Sequence, residues 1–475
     1  MGDVMQGQQE SERLLGEIER RLGAGSIRRG DDIGQRHCAD VSGLAPVRPL
    51  AVVLPRNVDE VAEVMAACHA SRHPIVLQGG MTGAAGGGLP MEGEIALSLE
   101  RLTGIVEIDS TSATMTVLAG TPLALIQTAA ADAGFACGID LGARDSATIG
   151  GIVSTNAGGN QVVRYGMARK NILGLEVVLA DGTVVSGLNK MPKNNAGYDW
   201  SQLFIGSEGT LGVVTAVVLS LHPPIRNANA ALIAVENTDA ALATLRLAQE
   251  MLPGGLLVFE LMWSEYYATA VKVENVAPPL PFGHDGYLLV EAPGGSGGEH
   301  LFEAWLELAL GKELISDAVI AKSLAERDAF WALRESAYKF SRVIAPPLNY
   351  DISFPLDRMG RAIERLRETI PKFGDDITWC VFGHLGDGNV HVMAMTARRD
   401  AIKAAMDQAV YGLTAELGGS VSAEHGIGRV KRGQLPLSRS PQEIALMQRI
   451  KTCLDPHALL NPGRVVDPEI SGISG

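Results

Sequence analysis

Residues 75–88 read Ile-Val-Leu-Gln-Gly-Gly-Met-Thr-Gly-Ala-Ala-Gly-Gly-Gly. The apolar start, Ile75–Leu77, reads as a buried strand, and the chain runs from it straight into a glycine-rich loop at 78–88. Glycines in that place let backbone N–H groups come close to an anion. The loop matches neither Gly-x-Gly-x-x-Gly nor a Walker loop, and in isolation a plain glycine turn would read the same. Two more bursts, at 150–159 and 206–212, lie in the same half of the chain. Together they describe backbone held against a large, flat, phosphorylated ligand. The nearby donors are neutral (Ser146, Thr148, Thr155, Asn156), with one cation at Arg164. That set suits a buried dinucleotide better than lysine clusters would.

Around this loop the first half alternates short strands and helices. Leu14, Leu15, Ile18 and Leu22 fall on one face of an amphipathic helix over Ser11–Leu22, and 23–49 reads as loop. Strands are expected at Ala51–Leu54, Ile95–Leu99, Met115–Leu118, Leu173–Leu179 and Val213–Leu219. Val184–Ser186 pairs back across the Asp181-Gly182 turn. Asn57 caps a helix with Glu60 in capping-box position, and Thr121-Pro122 opens another that ends near Gly134. Pro223-Pro224 marks a boundary. Beyond it, strands are expected at Ala231–Val235, Leu256–Met262, Tyr287–Glu291, Asp351–Phe354, Thr378–Phe382 and Val390–Met395. A proline–glycine region fills the gap from Met262 to Gly286. Helices are capped at Thr238, at Ser323 with Glu326 and at Ser440 with Glu443; others cover Leu301–Leu310 and Ala401–Leu417. The second half thus reads as an antiparallel sheet with helices on one face, and the whole as α+β. Four segments follow: a lead-in at 1–44, a ligand-binding domain at 45–223, a second domain at 224–420, and a C-terminal segment at 421–475.

Composition narrows the function classes. The 475 residues are 46% hydrophobic and 20% charged, enough for two or three packed domains. A formal net charge of −14 disfavours nucleic acid and anionic membranes as main partners. No apolar run is long enough for a membrane span, and the first ten residues lack the layout of a secretory signal. The five cysteines are odd in number and lack Cys-x-x-Cys spacing, so we expect reduced thiols in a cytoplasmic protein.

The densest chemistry lies late in the chain. Residues 380–391 read Cys-Val-Phe-Gly-His-Leu-Gly-Asp-Gly-Asn-Val-His, and residues 423–428 read Ala-Glu-His-Gly-Ile-Gly. His384 and His391 flank a tight Gly-Asp-Gly-Asn turn that can fold both imidazoles toward one point. With Glu424 they make a metal set that leaves room for substrate, and His425 beside it is available as a base. Histidines beside glycine turns are also common as ordinary surface-loop residues; the cluster, more than any single member, points to chemistry.

These runs carry a resemblance over residues 45–466. Gln-Gly-Gly-Met-Thr-Gly-Ala-Ala-Gly-Gly, Thr-Ile-Gly-Gly-Ile-Val-Ser-Thr-Asn-Ala-Gly-Gly, Val-Arg-Tyr-Gly and Gly-Ser-Glu-Gly-Thr-Leu-Gly resemble the FAD-binding domain of the vanillyl-alcohol-oxidase and p-cresol-methylhydroxylase superfamily. Gly-His-Leu-Gly-Asp-Gly-Asn-Val-His, Ala-Glu-His-Gly-Ile-Gly and Asn-Pro-Gly-Arg resemble its D-2-hydroxy-acid dehydrogenase branch. That branch includes D-lactate and D-2-hydroxyglutarate dehydrogenases and the glycolate oxidase flavin subunit. The resemblance implies a two-subdomain FAD-binding domain, a substrate (cap) domain whose antiparallel sheet is covered by helices, and a short C-terminal segment returning to the flavin. It implies that Gly79, Gly80, Met81, Thr82, Gly83 and Gly87 cradle the pyrophosphate, with Met81 standing where the branch usually has Asn. Leu141, Gly142, Ser146, Thr148, Gly151, Ser154, Asn156, Glu208 and Val213 line the adenosine and isoalloxazine paths, and Asn461 approaches the flavin. With no histidine in or near the loop, FAD is expected to be bound non-covalently.

In the second half the resemblance makes His384, His391 and Glu424 the ligands of a divalent metal, with Zn favoured and Mn or Fe as alternatives. It makes His425 the base, Asn389 a substrate contact and Arg334 the grip on the substrate carboxylate. Asn349 stands where the hydroxyglutarate enzymes have Lys, and Tyr338 where they have Thr. The implied reaction is oxidation of a D-2-hydroxy acid, with a D-lactate-like monocarboxylate favoured over D-malate or D-2-hydroxyglutarate. Electrons would pass to an electron-transfer flavoprotein, a cytochrome or a quinone, and a homodimer is allowed. Two other classes stay open: the flavin subunit of a glycolate oxidase-like complex, and an alkyl-dihydroxyacetone-phosphate synthase-like transferase.

Overall fold

A computed structural model describes residues 2–225, 227–252, 254–294 and 298–468. The chain forms two compact units. The first comprises Met1–Gly159, Tyr165–Pro224 and Glu424–Gly475; the second comprises Asn160–Arg164 and Ile225–Ala423.

The first unit holds two sheets. One runs in the order Ile27–Arg28, Ala51–Val53, Ile95–Ser98, Ile75–Gln78, the last three strands parallel. The other is antiparallel, in the order Ile105–Asp109, Thr114–Leu118, Val213–His222, Ile172–Val178, Val184–Gly187. Ala136–Cys137 pairs with the far end of Val213–His222. The N-terminal helix spans Gly2–Leu22, and Leu14, Leu15, Ile18 and Leu22 are buried in the core that also takes Val61, Val64 and Met65 of helix Val58–Ser71. Burying one such side chain contributes about 1.5–3 kcal/mol, so this stripe alone holds the helix down.

The C-terminal segment is built into the same unit. Leu460 bridges Ile75 in parallel, and the Asn461 N–H donates to Ile75 O at 2.8 Å. Two buried ion pairs fasten it, Arg464 to Glu94 and Lys451 to Asp455, each 2.5 Å between closest atoms. Lys451 also donates to Thr210 O and Leu460 O, and Asp455 accepts from the Leu459 and Leu460 amides. A buried pair is tolerable when its remaining polar atoms are supplied in this way.

The second unit is a seven-stranded antiparallel sheet. Its order is Asp317–Ile320, Ala228–Val235, Gly286–Pro293, Val258–Trp263, Thr378–His384, Asn389–Met395, Pro347–Ser353. Helices lie on both faces, which corrects the expectation of one. Met262 packs with Tyr266 of helix Ser264–Glu274 and Phe340 of helix Ala337–Val343. Its neighbour Trp263 points the other way and donates its indole N–H to Thr238 of helix Thr238–Met251. Alternation along a strand demands cover on both sides once both residue sets are apolar. Helix Ser264–Glu274 also replaces the expected proline–glycine region; Tyr266, Tyr267, Ala270 and Val271 sit at helical spacing and are buried.

Three expected caps are in place: the Asn57, Ser323 and Ser440 side chains each accept the amide three residues on. Two expected caps sit one residue away. Asn237 caps the helix assigned to Thr238, because the Thr238 hydroxyl serves Trp263 instead. Pro122 stands at the N-cap position assigned to Thr121, whose hydroxyl donates to Leu118 O at 2.7 Å.

Candidate functional site

In the first unit the glycine loop leaves strand Ile75–Gln78 and lies against residues 146–151. A Cβ on Gly79 would meet Thr148 Oγ1 at 2.6 Å, and one on Gly80 would meet Ser146 O at 1.9 Å. Only glycine permits this approach of two backbones. Met81 takes φ 56°, and its sulfur lies against Gly88. A Cβ on Gly83 would meet nothing within 4 Å, and one on Gly87 would come no closer than 3.8 Å to Glu208. Thr82 is half-buried, while Gly142 and Ser146 are exposed and Leu141 is half-buried. Thr148 precedes helix Ile149–Thr155, which carries Gly151 and Ser154; its hydroxyl is buried and has no hydrogen-bond partner among the described residues. That orphaned hydroxyl beside an all-glycine approach fits a polar ligand entering the loop.

Several residues expected to touch the ligand also bond to the protein itself. Glu208, at φ 53°, accepts from the Ile427 and Gly428 amides at 2.7 and 2.8 Å. Burial pushes its carboxyl above the usual range, with those two amides and Lys431 opposing. Asn461 accepts from Leu77 N–H at 2.8 Å and donates to Glu208 O at 2.7 Å. Asn156, at φ 49°, accepts from Arg169 N–H at 2.9 Å. Val213 is fully buried in its sheet, paired with Val178. Glu424 accepts from Gly159 N–H at 2.8 Å, and His425 beside it is half-buried. A histidine does lie at the root of the loop: buried His37 holds Gln78 Oε1 with Nδ1 at 2.9 Å, and its Nε2 faces Arg28 at 3.5 Å.

In the second unit one face of the sheet changes from apolar to polar along its strands. Met395, Met393 and Cys380 belong to the core, and His391, Asn389, His384, Glu260 and Asp351 follow on that same face. The turn at 385–388 brings the His384 and His391 rings to a centroid distance of 5.5 Å, close to perpendicular at 80°. Gly388 at φ 83° permits the turn, and Asp387 accepts from Asn389 N–H at 3.1 Å to hold it.

His384 Nδ1 lies 2.6 Å from Glu260 Oε1, and Arg334 donates to Glu260 Oε2 through Nε at 2.8 Å. Its Nη2 lies 2.6 Å from the same oxygen, and its guanidinium sits over the Phe382 ring at 4.8 Å. Burial of Glu260 opposes ionisation, but Arg334 and His384 outweigh it and hold the carboxyl below its usual range. Asn389 is buried, and neither its side-chain oxygen nor its nitrogen has a partner among the described residues. Asp351 pairs with His391 across the strands, with His391 Nδ1 at 3.9 Å from Asp351 Oδ1. Asn349 lies two residues from Asp351 on the edge strand and is exposed, as is Tyr338.

Sequence reasoning missed Glu260. Its signal is a lone acid inside Val-Phe-Glu-Leu-Met-Trp, since a charge within a buried apolar strand needs a partner. Glu291 repeats the pattern one strand over, accepting from Arg327 and from Trp331.

The FAD-linked oxidase C-terminal domain matches residues 225–465, and an FAD-binding domain matches residues 49–187. The chain is 37% identical over 431 residues to a D-2-hydroxyglutarate dehydrogenase of Xanthomonas citri pv. viticola, covering 88% of this chain and 89% of that one. It is 37% identical over 436 residues to the mitochondrial D-2-hydroxyglutarate dehydrogenase of Bos taurus, covering 90% and 79%. The chain belongs to the FAD-linked oxidases. This FAD-linked oxidase is an oxidoreductase of the class acting on CH–OH donors. Its fold is that of p-cresol methylhydroxylase with substrate bound, at TM-score 0.77 and 15% identity, over 97% of this chain and 98% of that one. The glycine loop and the Thr148 hydroxyl fit the FAD this family carries. Two imidazoles at 5.5 Å, one with Nδ1 held by a carboxylate so that Nε2 keeps its lone pair, fit a divalent metal. Among the described residues no helix is long and apolar enough to cross a membrane.

Proposed function

We propose that this protein is an FAD- and metal-dependent dehydrogenase of D-2-hydroxy acids, with a preference for a D-lactate-like monocarboxylate. The observation that carries the reading is the pairing, on one sheet face, of a metal-type histidine pair with a guanidinium. In this reading His384, His391 and Glu424 hold the ion and His425 receives the hydroxyl proton at a ring nitrogen. Arg334 orients the carboxylate, and the buried Asn389 amide contacts the substrate. The bound groups supply two-electron acceptance by FAD and polarisation of the α-hydroxyl by the ion. FAD is held non-covalently, and electrons leave to an electron-transfer flavoprotein, a cytochrome or a quinone in the cytoplasm.

The monocarboxylate preference rests on Asn349. A far carboxylate reaching that position would find an amide where the hydroxyglutarate enzymes offer a cation. Lys339, close in sequence, is already paired with Glu274 at 2.7 Å. A second reading is oxidation of a dicarboxylate, either D-malate or D-2-hydroxyglutarate, the latter being the substrate in the names of the relatives. A kcat/KM panel with a dye acceptor separates the two. D-lactate should exceed D-malate and D-2-hydroxyglutarate, and Asn349→Lys should raise the dicarboxylate ratio. A wild-type preference for either dicarboxylate refutes the first reading.

A further inference from the structure

Arg334 is not a bare cation. One carboxylate, Glu260, touches it through Oε2 and touches His384 through Oε1. Both Arg334 and Glu260 are more than nine-tenths buried, so water does little to screen the pair. Glu260 therefore offsets the charge that Arg334 would present to a ligand. An incoming carboxylate meets a neutralised guanidinium until a cation is added beside it. A divalent ion on His384 Nε2 would supply that positive charge. It would also sharpen the Nδ1–H as a donor, drawing Glu260 toward the histidine and away from the guanidinium.

We propose that Glu260 is a positioning residue that makes substrate binding conditional on the metal. It fixes His384 with Nε2 outward for the ion, and it masks Arg334 until that ion is present. The order of binding is then metal first, carboxylate second. This rests on the functional reading above, in which His384 is a ligand and Arg334 the carboxylate site. A purely structural Glu260 would hold Arg334 in place whatever the metal content.

The test uses the FAD holoenzyme, stripped of metal and then reloaded with Zn2+. The probe is propionate, a carboxylate with no α-hydroxyl that could chelate the ion. By calorimetry, propionate should bind the stripped wild type at least roughly tenfold more weakly than the Zn-loaded protein. Equal affinities overturn the proposal. In Glu260→Gln, Zn2+ affinity should fall about 10- to 100-fold while propionate binding to the stripped form strengthens. The two changes run in opposite directions; weakening of both would make Glu260 a scaffold and overturn the masking. If the variant loses its flavin or melts early, the wild-type comparison decides alone. Arg334→Gln tells the two levels apart. Should it leave propionate binding to the Zn-loaded protein unchanged, the carboxylate assignment itself fails and this inference falls with it. Should it abolish binding while wild type shows no metal dependence, only the inference fails.

Discussion

His425 and Glu260 differ in how far a sequence can reveal them. His425 stands beside Glu424 in Ala-Glu-His-Gly-Ile-Gly, where the residue types themselves suggest proton transfer. Glu260 is a single acid in an apolar strand, and its two partners lie 74 and 124 residues away. Nothing local in the sequence names them, because strand register sets the meeting. Glu208 and Asn461 carry a role that their motifs do not announce. Their polar groups also hold Ile427, Gly428 and Leu77. Such residues shape a cradle by holding backbone. At this scale His425→Gln should lower kcat by about 10²- to 10⁴-fold while FAD stays bound. Stopped-flow flavin reduction with the preferred D-acid checks it, and near-normal reduction would remove His425 as the base.

Elements were legible where local chemistry decides them. Asn57, Ser323 and Ser440 each cap the helix that their spacing to Glu60, Glu326 and Glu443 announced. At Ser440 the full reciprocal box forms, with Glu443 reaching back to the cap amide at 2.8 Å. Ser440→Ala should cost about 1 kcal/mol in urea unfolding. An unchanged midpoint and slope would mean helix Pro441–Leu454 is held by its packing alone. Elements decided by partners were less legible. Prolines and glycines that follow helix Ser264–Glu274 blur its sequence signal, and Ile105–Asp109 lacks a clean alternation because its burial is only partial. That a parallel trio of strands belongs to one sheet is fixed by crossovers, which leave no mark in any single window.

For the molecule as a whole, acid sensitivity should trace in part to His37. Burial lowers its pKa from 6.5, against the opposing Gln78 contact and Glu100. Arg28 faces Nε2, so a second ring proton would meet a cation. The folded protein therefore binds fewer protons here than the unfolded chain does below pH 6.5. The stability from this site is complete above that pH and is lost as pH falls through the lowered value. His37→Gln should flatten the decline in Tm between pH 7 and about 5.5. Parallel declines in variant and wild type would absolve His37.

The strand that leads into the glycine loop is closed by residues made long after it. Ile75 takes its bridge from Leu460 and Leu77 its amide partner from Asn461, 384 positions downstream. A ribosome must pass Asn461 before that edge can be sealed, whereas all of Ile225–Ala423 has emerged earlier. The later-encoded unit can thus mature before the earlier-encoded one, and the nascent chain waits with an open strand edge in the meantime. Loading of the yellow cofactor then becomes the closing act of biosynthesis. Protein cut short before Leu460 would accumulate colourless and exposed to chaperones.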